Sequence, residues 1–282
     1  MQKSAAEQPL FQEGALEIRR CKYGLMLYST ADAYIGRALQ LYGEYSEDDV
    51  RFFARILKPG YTVLDVGANI GAHTMFFAGA VGLEGRVLAF EPLSSNFQLL
   101  CANTALNGIE DVEAKQVAVG RAGGTVRVPK VSVTAPGNQG GFSLLDASSG
   151  YSEEVAQISI DDLNLARCHL IKADVEGMER DVILGASDTL KRCKPMLYLE
   201  NNMQDKFPAL IEALLERDYA CFWYLTQYFN KDNFFNNAEN IFSDMFEQNL
   251  IAVPNIIAKA VEGLEPVRSP DDWPLARKAE GS

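Results

Sequence analysis

Apolar residues along this chain fall into two rhythms. Between Ser46 and Lys58, the residues Val50, Phe53, Ala54 and Leu57 recur at helical spacing and share one face. Ser46-Glu47-Asp48-Asp49 reads as the capping box of that helix, and Pro59-Gly60 stops it. Beyond it, short continuous apolar runs alternate with helical stretches. Residues 61–66, 86–90, 112–119, 169–175 and 196–199 read as buried strands, and 71–80, 94–107, 178–190 and 207–217 as helices. Two last strands, 220–225 and 250–253, have no clear helix between them, which predicts an antiparallel edge. Upstream, residues 15–30 alternate well enough for a hairpin turning at Gly24. Continuous apolar strands separated by helices predict an α/β fold: a parallel sheet with helices on both faces.

The same pattern divides the chain. Residues 1–60 read as a loose polar leader (1–13), a hairpin and a helix, placed to cover a cleft or to form a contact between two copies. Residues 61–258 are the main domain. Two stretches inside it break the alternation: 120–160, rich in Gly, Ser, Val and Thr with a loop at TAPGNQGG, and 226–249, rich in Asn and Phe. Residues 259–282 are a tail rich in proline and charge from Glu262, expected to be loosely attached.

Charge narrows the partners. Lys and Arg number 26 against 38 Asp and Glu, a net charge of −12. Duplex nucleic acid and anionic membranes need clustered basic residues, so neither is expected as a partner; a small neutral or cationic ligand is. The assembly expected is a monomer or a homodimer. Five scattered cysteines form no metal-spaced pair and read as free thiols of a reducing compartment. The first 20 residues hold no apolar run of signal-peptide length, and no window reaches transmembrane length. A cytoplasmic location is the expectation.

The candidate chemistry begins in the loop Asp65-Val66-Gly67-Ala68-Asn69-Ile70-Gly71. It joins a strand to a helix, as dinucleotide-binding loops do, yet Asn69 stands where the middle glycine would let a pyrophosphate approach. No Gly-Lys-Ser/Thr is present either. Such a loop suits a ligand offering a carboxylate to backbone N–H groups at a helix start. The next strand ends in Phe90-Glu91-Pro92, where a carboxylate can accept from ribose hydroxyls. A carboxylate, a ribose and no pyrophosphate match S-adenosylmethionine. Asp65 then lies near the ligand's positive charges, or else braces the loop; Glu91 has the alternative of a helix-start charge.

DVGANIGAHT, VLAFEPLSSNFQLLCANTALNG and LIKADVEGMERDVILGASDTLKRCKPMLYLENN, in that order and spacing, resemble the FkbM family of S-adenosylmethionine-dependent methyltransferases. YSTADAYIGRALQLYGEYSEDDV, FNNAENIF and NLIAVP extend the similarity over about residues 23–254. The resemblance implies a Rossmann-like class I methyltransferase sheet of seven strands, order 3-2-1-4-5-7-6 with strand 7 antiparallel. It also implies O-methylation of a hydroxyl on a small molecule, natural product or glycan.

The transfer itself is expected at the carboxyl ends of the strands. Lys172, Asp174 and Glu176 alternate at the end of 169–175 and point to one side. Asp174 is the first candidate for a base or acceptor-orienting group, with Lys172 as its partner; the two could instead be a buried ion pair holding the strand end. His73 is a second candidate base, or packs beside the cofactor. His169, at the far end of its strand, reads as structural. Asp174, Glu200 and Asn201 offer hard oxygen donors that would suit magnesium, although Glu200 and Asn201 could bond the acceptor instead. Ala118, within Val117–Val119, is placed at the adenine ring. Two loops are candidate lids: QYFNKDNFFNNAENIF, and GNQGGFS with Asn138 and Ser143. The alternatives are an N-methyltransferase of a small molecule or peptide and a non-catalytic nucleotide-binding protein. A nicotinamide oxidoreductase is disfavoured by the missing glycine and the lack of a tyrosine–lysine pair.

Overall fold

The computed structural model describes residues 8–137, 151–243 and 245–273. The chain opens on a small antiparallel sheet of β1 (Phe11–Glu13), β2 (Leu16–Cys21) and β3 (Gly24–Ser29). The hairpin lies where alternation predicts it; Phe11–Glu13, expected in the loose leader, add a third strand by pairing with β2. Helix α1 (Ile35–Tyr42) is not evident from periodicity. Asp32 starts it by accepting the Gly36 N–H at 2.6 Å, and Gly43, at φ 68°, ends it. Helix α2 (Glu47–Ile56) stops two residues earlier than expected, because Leu57 is already extended ahead of Pro59. Its capping box is altered: the Ser46 hydroxyl donates to Asp49 Oδ2 at 2.9 Å and caps no backbone N–H.

The main sheet is built from β4 (Thr62–Val66), α3 (Ala72–Val81), β5 (Arg86–Phe90), α4 (Ser94–Leu106) and β6 (Val112–Lys115). The run 112–119 breaks after Lys115. Its end, β7 (Ala118–Val119), leaves for a side sheet with β8 (Gly124–Pro129) and β9 (Ser152–Ile158). The chain returns as β10 (Leu170–Ala173), α5 (Glu179–Leu184), α6 (Ser187–Cys193), β11 (Met196–Glu200), α7 (Phe207–Leu215), β12 (Tyr219–Gln227), β13 (Phe246–Pro254) and β14 (Glu265–Pro266). The strand order is β14-β12-β13-β11-β10-β4-β5-β6, eight strands in all. β13 runs antiparallel to both its neighbours, and the short β14 pairs with β12 at Phe222 and Trp223.

The single helix expected over 178–190 is two. A Cβ on Gly185 would fall 2.1 Å from the Gly120 carbonyl oxygen, so the chain bends there to clear the loop into the side sheet. Alternate strand residues fill the two cores. Leu64, Ile171 and Leu197 meet Val182, Ile183 and Leu214 on one face. Val63, Leu170 and Tyr198 meet Phe53 and Phe77 on the other. The described part of the tail is docked, contrary to expectation: Trp273 is buried against Phe207 and Trp223, at 5.5 and 5.7 Å between ring centroids. Among the described residues no helix is long and apolar enough to cross a membrane.

Candidate active site

β4 ends at Val66 and the chain turns at once. The N–H groups of Gly67 and Ala68 both donate to the Phe90 carbonyl, at 2.9 and 3.0 Å, tying the loop to the end of β5. Gly67 has φ 76°, and a Cβ on it would lie 1.8 Å from the Asp174 carbonyl oxygen. Only glycine lets the loop and the end of β10 pass each other. Asn69, also left-handed at φ 51°, donates its N–H to Glu91 Oε2 at 2.9 Å. Glu91 Oε1 accepts the Leu93 N–H at 2.9 Å. Glu91 therefore fastens the loop on one side and the entry to α4 on the other.

Lys172 lies beneath the same loop. Its Nζ donates to the Gly67 carbonyl at 2.9 Å and approaches Asp65 Oδ1 at 3.4 Å and Asp174 Oδ2 at 3.3 Å. Burial alone would discharge this ammonium, but the Asp174 and Asp65 carboxylates outweigh it and hold its pKa above the ordinary lysine range. Burial pulls the other way on Asp174, yet Lys172 and a hydrogen bond from Glu200 hold its pKa below the usual carboxylate value. Glu200 is pushed well above its usual value by burial and by Asp174. Between the two acids, burial and charge favour the proton on Glu200 over Asp174.

Two cavities meet at this point. One, of about 510 Å³, is an apolar slot between Phe90, Pro92, Leu93, Val117, Ala118 and Val119. The other, of about 970 Å³, opens past Asn69 toward Tyr34, Tyr45, Tyr228 and Glu247. Gly67, Glu91, Asp174 and Glu176 border both. The first is lined mainly by apolar side chains and the second mainly by polar ones.

The Methyltransferase FkbM domain family matches residues 65–221, more than half the chain. The chain belongs to this family. It is similar to Methyltransferase 1 of Beauveria bassiana, 28% identical over 151 residues, 45% of this chain and 58% of that one. It is also similar to the AMB antimetabolite synthetase AmbE of Pseudomonas aeruginosa, 29% identical over 181 residues, 51% of this chain and 8% of that one. The chain thus spans less than two thirds of either relative. The crystal structure of methyltransferase FkbM from Methylobacillus flagellatus aligns with a TM-score of 0.46 and 19% identity over 72% of this chain and 50% of that one.

Gly67, Asn69, Glu91, Pro92, Ala118 and Asp174 all border the two cavities. Asp65 does not. It has no exposed surface, and its carboxylate is held by the Thr74 hydroxyl at 2.6 Å and by Lys172, so it braces the loop. Ala68 is buried against Ala89 and Leu100, and Gly71 serves packing: a Cβ there would meet Leu100 at 2.7 Å. Lys172 is likewise a brace, 4% exposed behind the cleft wall.

His73 is no base for the acceptor. It is buried among Tyr45, Phe53 and Phe77, and burial, aided by Lys172, pushes its pKa down to about 3. His169 is structural, accepting the Thr62 N–H at 2.9 Å. Asn201 lies just past the end of β11 and lines, with Glu200, a neighbouring pocket toward Met203 and Leu210 rather than the polar chamber. The carboxylates that do converge are Asp174, Glu176 and Glu200, each with an oxygen within 4.8 Å of the others. Three hard oxygens could accept a divalent cation. Lys172 offsets part of that charge through Asp174, and the magnesium expectation has no further support.

Glu247, Tyr34 and Tyr45 line the chamber without being singled out by the sequence. The signal for Glu247 is topological. It opens β13, and an antiparallel strand begins where its parallel neighbours end. The Asn-Phe candidate lid supplies Tyr228 to the cleft; Asn138 and Ser143 of the other lie outside the described residues.

Proposed function

We propose that the protein is an S-adenosylmethionine-dependent O-methyltransferase acting on a hydroxyl of a small molecule, natural product or sugar. The observation that carries this is the meeting of the apolar slot and the polar chamber at Gly67, Glu91 and Asp174. When bound, S-adenosylmethionine supplies an electrophilic methyl group on a sulfonium. Pro92, Val117 and Ala118 form a slot suited to adenine, Glu91 accepts from the ribose hydroxyls, and the Gly67–Asn69 turn faces the amino-acid end. Asp174, an anion at the border, accepts a hydrogen bond from the acceptor hydroxyl and orients its lone pair in line with the methyl carbon. The oxygen–carbon bond forms as the carbon–sulfur bond breaks, and its electron pair stays on sulfur. Asp174 is too weak a base to remove the alcohol proton early, so it takes that proton only as the new bond forms.

N-methylation is the second reading. Glu247, which burial and the Asp49 and Asp174 carboxylates push up to about 8, is matched to deprotonating an ammonium.

Thermal unfolding tests the donor assignment. S-adenosylmethionine and S-adenosylhomocysteine should each stabilise the protein, by about 2.7 kcal/mol at one hundred times the dissociation constant, whereas NAD should not. Stabilisation by NAD alone, or by none of the three at saturation, would overturn it. Mass analysis of methylated products then separates oxygen from nitrogen acceptors.

A further inference from the structure

The polar chamber is walled by five carboxylates: Glu91, Asp174, Glu176, Glu200 and Glu247. Among the described residues no lysine or arginine lines it. If Glu91 and Asp174 answer the ribose and the positive charges of the methyl donor, Glu176, Glu200 and Glu247 still face the remaining space. Three tyrosine rings face the same space. Tyr228 lies 5.9 Å from Tyr34 and 6.3 Å from Tyr45 between ring centroids. Tyr45 donates to Glu247 Oε1 at 3.2 Å, and Tyr228 also bonds that carboxylate. Glu247 is only 8% exposed; in the empty chamber it keeps its proton up to about pH 8, and a cation seated beside it would draw that proton off and leave a counter-charge poorly screened by water. Aromatic faces attract cations, and a buried carboxylate fixed among them supplies the counter-charge. A phosphorylated or carboxylated acceptor would meet the Asp174 anion and, among the described residues, no lining lysine or arginine.

We infer that the acceptor is cationic: a small hydroxylated molecule bearing an ammonium or quaternary ammonium group, held by Tyr34, Tyr45 and Tyr228 with Glu247 as its counter-ion. The inference rests on the chamber being the acceptor half of a methyltransferase site. It adds the charge of the occupant and the residues that select it.

The test uses the full chain saturated with S-adenosylhomocysteine. Choline and dimethylbutanol, its neutral carbon isostere, share a shape and a hydroxyl and differ in charge. Each is titrated into the millimolar range and followed by calorimetry and saturation-transfer NMR. Choline should bind about tenfold more tightly than the isostere. Glu247→Gln should bring the two to near parity, and Tyr228→Leu, which removes a ring and no carboxylate, should cut the preference if Glu247→Gln does not fold. Equal binding, tighter binding of the isostere, binding of neither, or a preference unmoved by the folded variants would overturn the inference. Binding of S-adenosylhomocysteine is measured on the same sample. Its loss would sink the donor assignment itself, whereas its presence without a choline preference would sink only the cationic acceptor.

Discussion

In the proposed reaction Glu91 and Asp174 take different parts. Glu91 has both oxygens engaged by backbone N–H groups, of Asn69 and Leu93, and keeps lone pairs for a ligand. Glu91→Ala should weaken S-adenosylhomocysteine binding about ten- to a hundredfold, the scale of losing a charged hydrogen bond. Calorimetry showing unchanged affinity would remove it from the ribose. Asp174→Asn keeps the shape and loses the charge. Single-turnover rates should fall by about a hundredfold or more, while S-adenosylhomocysteine affinity changes far less. Full activity in that variant would exclude Asp174 from the reaction. The strand-end positions of both acids are legible in the sequence, because FEP and KADVEG each follow a continuous apolar run. The direction of each side chain is legible only when period two is applied strictly. Asp65 escapes such reasoning: a carboxylate turned to a ligand and one turned to a buried lysine occupy the same place in the sequence.

At the scale of elements, residues 1–60 reach the cleft through Tyr34, Ile35 and Tyr45, whereas their hairpin packs elsewhere. It docks on α4 through two asparagines one helical turn apart. Asn103 accepts the Leu27 N–H at 2.6 Å and donates to the Leu27 carbonyl at 3.1 Å; Asn107 treats Leu25 the same way at 2.8 and 2.7 Å. Their amides stand in for a neighbouring strand along the β3 edge. Asn103 also donates to the Ile70 carbonyl at 2.8 Å, joining the hairpin to the glycine loop. Asn103→Ala should cost about 1–3 kcal/mol, since it leaves buried backbone groups unpaired. Amide exchange should then quicken at Leu27 and in the loop together. Quickening at Leu27 alone would show that the two are not coupled. The repeat Asn103–Asn107 is visible in the sequence, but its partner lies some 80 positions upstream, beyond any local pattern. The break between α5 and α6 was hidden for a related reason: Gly185 is spaced for one helix, and the close approach of Gly120 decides otherwise.

Across the whole molecule, buried acids set the response to pH. Burial, above all, pushes Glu91 and Glu179 up to about 7 and Glu247 up to about 8, from an ordinary 4.5. Between those limits the folded ligand-free protein binds more protons than the unfolded chain, so stability falls as pH rises. His73 opposes this below its ordinary 6.5, because its buried ring stays neutral while the unfolded one charges. The clean window is therefore pH 6.5 to 8, where the melting temperature of the empty protein should decline steadily. A rise across that window would mean that these acids are already ionised in the folded state. The alternation of strands and helices is read from the sequence almost unaided, since continuous burial on both faces leaves an unbroken apolar run. The eighth strand is not, because Glu265 and Pro266 carry no apolar signal and pair only as the chain passes Phe222 and Trp223. Yet this short strand and the docked Trp273 sit where the sheet would otherwise end in the open backbone of β12. Unpaired strand edges recruit one another, and natural sheets blunt them with short strands, proline and covering segments. Here the two-residue β14, its Pro266 and the indole of Trp273 supply all three devices, so a chain trimmed before Glu265 would be prone to self-association through that edge even with its cleft left intact.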